Sequence, residues 1–332
     1  FNGRNLKKFF LKTAVTAMGK TRLSVGDACL VSALEIFDLE DMDWKINPYV
    51  TPTLLIITEQ EWDEVETMLW AYVSGVNEYN IINNRYKKGE EARVDKAIEI
   101  IRKSPLYYVV ISDYSFEDIE LIITEHKQKY GITHVFFDYL QETEKLLYET
   151  SKKSGTRTLR TDQVLAIISQ KLKALCQRLN IHLDTSTQSN DQIKAIIFAD
   201  QSVISGSKAI ANKPDIAYVV MPLSKADEEF AETQKNGFSE TPNIVFHVYK
   251  VRRGTLNKVK VWVYFDRGNL RITDCFVTKA NNELINVPDT EIHMLLDSND
   301  TKVSSKEEVK VFDKGVKTPI READLSFDDE DF

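Results

Sequence analysis

Cysteine, histidine, glycine and proline are all scarce in this chain, and no stretch of it is both long and apolar. Among 332 residues there are only three cysteines, Cys29, Cys176 and Cys275. Their odd number, wide spacing and apolar flanks exclude a disulfide framework and suit reduced thiols packed inside a cytosolic fold. The five histidines include no pair at metal-ligand spacing with a cysteine or a second histidine, so structural zinc is not expected. Twelve glycines and eight prolines, beside 42% hydrophobic and 28% charged residues, exclude collagen-like, low-complexity and wholly disordered chains. No run approaches the roughly eighteen uncharged apolar residues of a membrane span, and the start lacks the charged-then-apolar order of a signal peptide. A folded cytoplasmic protein is expected, with one large α/β domain or two small ones.

The formal net charge is −8, but six acids (Glu322, Asp324, Asp328, Asp329, Glu330 and Asp331) lie in a terminal stretch without Lys or Arg, which leaves −2 for the rest. A nearly neutral body neither requires nor excludes nucleic acid, because phosphate binding depends on a local basic stripe. The chain starts at Phe1 and a strand follows at Lys8–Thr13, so a region upstream of this sequence is expected.

Short β-branched and aromatic runs alternate with segments of helical period, which predicts β-α units and a mainly parallel sheet flanked by helices. Strands are expected at Thr53–Thr58, Tyr107–Ser112, His134–Asp138, Ile181–Thr187 and Asp215–Met221. Helices are expected at Glu61–Val76 and Thr161–Leu179, each with one apolar stripe. After Asn243 the pattern changes to strands alone, Asn243–Val251, Val259–Phe265 and Asn269–Asp274, joined by Arg253-Gly254-Thr255 and Asp266-Arg267-Gly268 as turns. They predict antiparallel strands finishing the sheet. The polar stretch Asn83–Glu99 is expected to be an excursion on the rim, and the polar, acidic segment 279–332 a mobile extension of a domain spanning 1–278.

Five groups of residues could carry chemistry. Ala14-Val-Thr-Ala-Met18-Gly19-Lys20-Thr21 lies between a strand and the amphipathic segment Leu23–Leu34, the setting of a phosphate-binding loop. There, backbone N–H groups cradle phosphates, a lysine reaches the β- and γ-phosphates, and a hydroxyl holds Mg²⁺. An ordinary helix start is the alternative, since Ala14 stands where the first glycine is usual. Asp138 ends an apolar strand at the edge where doubly wound sheets bind ligands, and either faces a metal beside Thr21 or caps the following turn. Glu59, with Glu61 as its competitor, is a strand-end carboxylate able to deprotonate an attacking water, or a solvated helix-start acid. Gln188 either senses a γ-phosphate or belongs to a polar loop. Lys250 and Arg252, two apart on one strand face, act together on a phosphate or are ordinary surface cations.

Taken in order, Ala-x-x-x-Met-Gly-Lys-Thr, the strand-end Glu, Asp138-Tyr-Leu-Gln141, Ile168-Ser-Gln-Lys-Leu-Lys-Ala-Leu175, the Gln after a strand, Ser205-Gly-Ser207 and Lys250-x-Arg252-x-Gly254 resemble the ATPase domain of DnaB-type replicative helicases. The resemblance covers roughly residues 4–278, and that family also has Ala at the start of its phosphate loop. It implies a RecA-like P-loop ATPase that assembles as a hexamer, binds ATP and Mg²⁺ between subunits, and moves along single-stranded DNA. Carried over residue by residue, it assigns nucleotide contact to Ala14, Met18, Gly19, Lys20, Thr21, Arg22 and Asp138, with Mg²⁺ at Thr21 and Asp138. Glu59 becomes the catalytic base, Gln188 the γ-phosphate sensor, and Lys250 and Arg252 groups that serve the neighbouring subunit.

Two segments match the family's DNA loops by position: Lys152, Lys153, Arg157 and Arg160 before one helix, and Ser205, Gly206, Ser207 and Lys208 after a strand. Small residues let main-chain N–H groups approach phosphate, and basic side chains release counterions. The second loop departs from the pattern: Val203-Ile204 stands where the family has a charged pair, and the spacing from Ser207 to Asp215 is longer. The Phe-containing acidic end resembles the tips of single-strand-binding proteins, and is a docking peptide, an occupant of the DNA site, or a solubilising end. A loader, primase or single-strand-binding protein are the partners that the resemblance brings in. The alternative function is a RecA-superfamily ATPase without unwinding activity: a loader, recombination mediator or regulatory ATPase.

Overall fold

The computed structural model describes residues 4–15, 18–154, 160–189, 198–203, 210–234, 240–252 and 258–285, leaving aside the side chains of 153, 154, 161 and 162. The order of elements is β1 (Phe9–Ala14), α1 (Lys20–Ser32), β2 (Glu35–Asp38), β3 (Asp43–Ile46), β4 (Thr53–Ile57), α2 (Trp62–Ser74), α3 (Glu78–Ile82), α4 (Glu90–Lys103), β5 (Leu106–Val110), α5 (Phe116–Tyr130) and β6 (His134–Asp138). There follow α6 (Glu144–Ser154), α7 (Thr161–Leu179), β7 (His182–Gln188), β8 (Ile216–Pro222), α8 (Lys225–Thr233), β9 (Ile244–Val251), β10 (Val259–Asp266) and β11 (Arg271–Lys279), with short 3-10 turns at Gln201–Val203 and Ile210–Asn212.

Nine of these strands form one sheet in the order β11-β10-β9-β8-β1-β7-β6-β4-β5. The six from β5 to β8 run parallel, and β9, β10 and β11 add antiparallel to the β8 edge. The parallel strands are buried on both faces, as continuous runs such as Leu54-Leu-Ile-Ile57 require. Alternate residues divide between two helical layers. Phe9, Leu11, Leu54, Ile56, Val135 and Phe137 pack with α5 and α7 through Ile119, Ile123, Leu172 and Cys176. On the other face Leu55, Ile57 and Phe136 pack with α1, α2 and α4 through Val25, Leu69, Ala97 and Ile101. The α/β class, the mainly parallel sheet and the antiparallel finish are as the sequence implies.

Local chemistry accounts for the element ends. Ser115 with Asp118, and Ser224 with Asp227, form reciprocal capping boxes that start α5 and α8. Asn180, left-handed at φ 52°, ends α7. The expected rim excursion at 83–99 is corrected: from Glu90 onward it is the start of α4, which buries Val94, Ala97, Ile100 and Ile101. Its charged residues fall on the outer face of a helix whose apolar stripe is only one side wide, so composition outweighed period. The last strand begins at Arg271 and runs on to Lys279, past the expected end at Asp274, and a bridge joins Thr278 to Leu284. The 253–255 turn and residues 286–332 lie outside the described residues. All three cysteines are free and buried. No described helix is long and apolar enough to cross a membrane.

Candidate active site

The site lies where β1, β4, β6 and β7 end, at the carboxyl edge of the parallel strands, where a doubly wound sheet opens between diverging connections. The register sets Ala14 level with Gln188 and Ile57 level with Asp138. Gly19 precedes α1 with φ 84°, a left-handed conformation that favours glycine, and a Cβ there would lie 3.0 Å from Phe265 Cε1. Having no side chain, Gly19 cannot cap the helix, and the first turn carries no acid. The N-terminus of α1 thus keeps its amide donors and its positive dipole end for an anion.

Lys20, half-buried at the head of α1, sets its ammonium 4.4 Å from the centre of the Tyr139 ring. Burial lowers its pKa, while Asp138 and Glu59 act in the opposite direction. Thr21 follows on the same turn. Asp138 is buried, and its Oδ1 accepts from Ser186 Oγ at 2.8 Å and from Ser24 Oγ at 3.3 Å. Ser24 lies one turn along α1 from Lys20, so the acid ties β6 to both the helix and β7.

Tyr139 stands at the centre. Its hydroxyl donates to Glu59 Oε1 at 2.7 Å and accepts from Gln188 Nε2 at 3.2 Å. Its amide donates to Thr58 Oγ1 at 3.2 Å, which fixes the residue against the end of β4. Burial and the hydrogen bond to Glu59 raise the phenol pKa, so the phenol stays protonated at neutral pH. Glu61, the competitor of Glu59, forms the N-cap of α2. Lys20, Glu59, Asp138 and Gln188 are therefore brought together, and their common neighbour is Tyr139.

Other predicted residues lie elsewhere. Arg22 pairs with Glu78 and donates to the Arg267 carbonyl at 2.9 Å, which ties α1 to α3 and to the β10–β11 turn. Lys250 donates to the carbonyls of Ala211 and Asn212, both at 2.8 Å, and Arg252 to Asn212 at 3.2 Å. Burial and neighbouring Arg252 bring the Lys250 pKa down to about 8. Lys250 is level with Ala217, and Ala217 with Leu11. Arg252 therefore lies about five residues, roughly 16 Å, back along the strand direction from Ala14, on the opposite edge of the sheet. Of the DNA-loop candidates, Lys152 is exposed near the end of α6, its ammonium 5.7 Å from the Tyr148 ring. Arg160 is exposed just before α7. Lys153 is on α6, its side chain outside the described residues, as are Arg157, Ser205, Gly206, Ser207 and Lys208.

Ser24, Ser186 and Tyr139 escaped the sequence reading. Tyr139 lay inside the quoted Asp-Tyr-Leu-Gln run, and Ser24 follows Lys20 at the i+4 spacing that shares a helix face. A buried ion cluster also escaped it. Lys12 of β1 lies 3.1 Å from Asp27 of α1 and 3.2 Å from Asp184 of β7, and Arg4 pairs with Asp27. A lysine inside Phe-Phe-Leu-Lys-Thr-Ala was its one visible signal.

Among the described residues no three His, Cys, Asp or Glu side chains cluster as a metal cage. The set present, one buried carboxylate and a threonine hydroxyl at a helix N-terminus beside a lysine, fits Mg²⁺ instead, which is commonly held by one or two carboxylates and substrate phosphates.

Sheet order, loop and strand-end acids define a RecA-like P-loop ATPase domain. The model of the DnaB-like helicase C terminal domain matches residues 1–272, and the chain belongs to that family. It is 38% identical over 292 residues to the SPbeta prophage-derived uncharacterized protein YorI of Bacillus subtilis (strain 168), covering 86% of this chain and 58% of that protein. One solved structure, itself an isolated ATPase domain, superposes with TM-score 0.59 at 17% identity, covering 81% of this chain and 84% of that one. A DnaB-like replicative helicase, solved in work on its interactions with primase, gives TM-score 0.59 at 18% identity over 81% of this chain and 58% of its own. The last two show likeness of fold. The family's ATPase domains use nucleotide and Mg²⁺, in keeping with the donor set here.

Proposed function

We propose that the chain is the motor domain of a phage-type replicative helicase, which hydrolyses ATP between subunits of a hexamer and moves along single-stranded DNA. One observation carries this reading: Lys20, Glu59, Asp138 and Gln188 converge at one edge of the sheet, while Lys250 and Arg252 lie at the other, beyond reach of their own chain's nucleotide. A second copy is needed to complete the site.

In this account Ala14, Met18, Gly19, Lys20, Thr21 and Arg22 form the nucleotide-binding segment, with the α1 amides and Lys20 on the phosphates. Thr21 and Asp138 hold Mg²⁺, which when bound neutralises phosphate oxygens. Glu59 orients the attacking water and takes its proton, and Gln188 registers the γ-phosphate. Lys250 and Arg252 of the adjoining copy stabilise the charge that develops on transfer, an effect typically worth about a thousandfold or more for an arginine in trans. Lys152, Lys153, Arg157 and Arg160, with Ser205, Gly206, Ser207 and Lys208, hold the DNA backbone. Residues 1–278 form the motor and 279–332 an appended acidic segment able to dock a basic partner such as a primase, loader or single-strand-binding protein.

The alternative, a RecA-type ATPase without unwinding, draws support from Val203, buried where the family carries charge. The test is ATP turnover with and without single-stranded DNA over a range of protein concentrations, together with opening of a forked duplex. Turnover that rises with both DNA and concentration, with duplex opening, supports the motor. DNA-stimulated turnover without opening supports the alternative, and DNA-independent turnover first order in protein removes both.

A further inference from the structure

We propose that Tyr139 is a positioning residue that relays the state of Gln188 to Glu59 through its hydroxyl; this rests on the ATPase reading of the site. A phenol has one proton to give. Here that proton goes to Glu59 Oε1 at 2.7 Å, while the oxygen accepts from Gln188 Nε2 at 3.2 Å. The chain therefore has a direction: amide to hydroxyl to carboxylate. Donation by Gln188 polarises the hydroxyl and strengthens its bond to Glu59, and withdrawal of Gln188 weakens it. When Gln188 turns to another acceptor, such as a phosphate oxygen, Glu59 feels the change without touching Gln188.

The ring gives the relay a second connection. Its face carries the Lys20 ammonium at 4.4 Å from the centroid, within the range of a cation–π contact. The rest of the residue is fixed: the side chain is nearly buried, its amide donates to Thr58 Oγ1 at 3.2 Å, and the next amide, Leu140 N, donates to the Ser186 carbonyl at 2.9 Å. Ser186 also bonds Asp138. Tyr139 is thus held by the strands that carry Glu59 and Asp138, and it moves little while its hydrogen bonds change partners. A tyrosine kept only for packing would not need both polar contacts.

Tyr139→Phe removes the hydroxyl and leaves the ring under Lys20. At a protein concentration where wild-type turnover per chain is maximal, we expect kcat to fall at least tenfold, with KM for ATP and the Kd of a non-hydrolysable ATP analogue with Mg²⁺ within about threefold of wild type. In a double-mutant cycle Gln188→Ala should lose most of its effect in the Tyr139→Phe background, because the relay is already cut. Binding of the analogue doubles as the check on folding. A kcat within twofold of wild type, loss of analogue binding, or effects of the two substitutions that multiply independently would each overturn the relay. If wild type itself fails to turn over ATP, or Lys20→Ala turns over as fast as wild type, it is the ATPase reading that fails.

Discussion

Lys12 is the place where a single substitution tests how the core supports the site. Its side chain is 1% exposed and bridges Asp27 at 3.1 Å and Asp184 at 3.2 Å, with Asp184 itself 1% exposed. Asp27 keeps Arg4 as a second partner, whereas both carboxylate oxygens of Asp184 are buried without a hydrogen bond. Lys12→Met preserves length and apolar volume but leaves Asp184 as an uncompensated buried charge. Breaking such a pair typically costs ~3–5 kcal/mol. Burial already raises the Asp184 pKa, against the pull of Lys12, and removing Lys12 raises it further. A carboxyl whose folded pKa lies above its unfolded value stabilises fully below the unfolded value and loses that stability as pH rises through the folded one. The defect should therefore be largest at neutral pH and shrink towards pH 5. Urea unfolding at both values reads it as a fall in midpoint at unchanged slope, and Lys12→Met with Asp184→Leu should recover most of the loss. A single-variant defect below about 1 kcal/mol, or one equal at both pH values, would refute the reasoning.

Two further outcomes follow from the site. Gly19→Ala forces a Cβ to 3.0 Å from Phe265 at φ 84°; a cost of roughly 1–2 kcal/mol in stability and at least tenfold weaker binding of an ATP analogue are expected, measured by urea unfolding and calorimetry. Lys250, its pKa brought down to about 8 by burial and Arg252, is charged below that value and loses its proton above it. Its acylation by an amine-reactive ester, followed by mass spectrometry, should climb between pH 7 and 9 ahead of exposed lysines such as Lys103.

The layers were legible because their signals are long-range averages. The stripe of α7 predicts Thr161–Leu179 to the residue, and the apolar run of β6 predicts His134–Asp138. The β2–β3 hairpin was not, since Glu35–Asp38 and Asp43–Ile46 are short, half-exposed strands without alternation strong enough to read. At the site, motif and strand-end position brought out Lys20, Glu59, Asp138 and Gln188. Tyr139, Ser24 and Ser186 act through hydrogen bonds between strands far apart in sequence, 80 residues in the case of Glu59 and Tyr139. The cluster of Arg4, Lys12, Asp27 and Asp184 likewise exists only once β1, α1 and β7 are packed. Single-residue identity carries no mark of such pairings. The position of Lys250 and Arg252 on the far edge follows from sheet order and antiparallel pairing, neither of which periodicity reports.

The most direct measurement mixes two variants, Lys20→Ala and Arg252→Ala, each expected to be inactive alone. Single-stranded DNA is present, and ATP turnover is followed as their ratio changes. A site shared between copies predicts that activity returns in the mixture, greatest near equal amounts, because some interfaces then join an intact Lys20 to an intact Arg252. If the mixture stays at the sum of its two parts while wild type turns over ATP under the same conditions, the account of a site completed by a second copy is wrong.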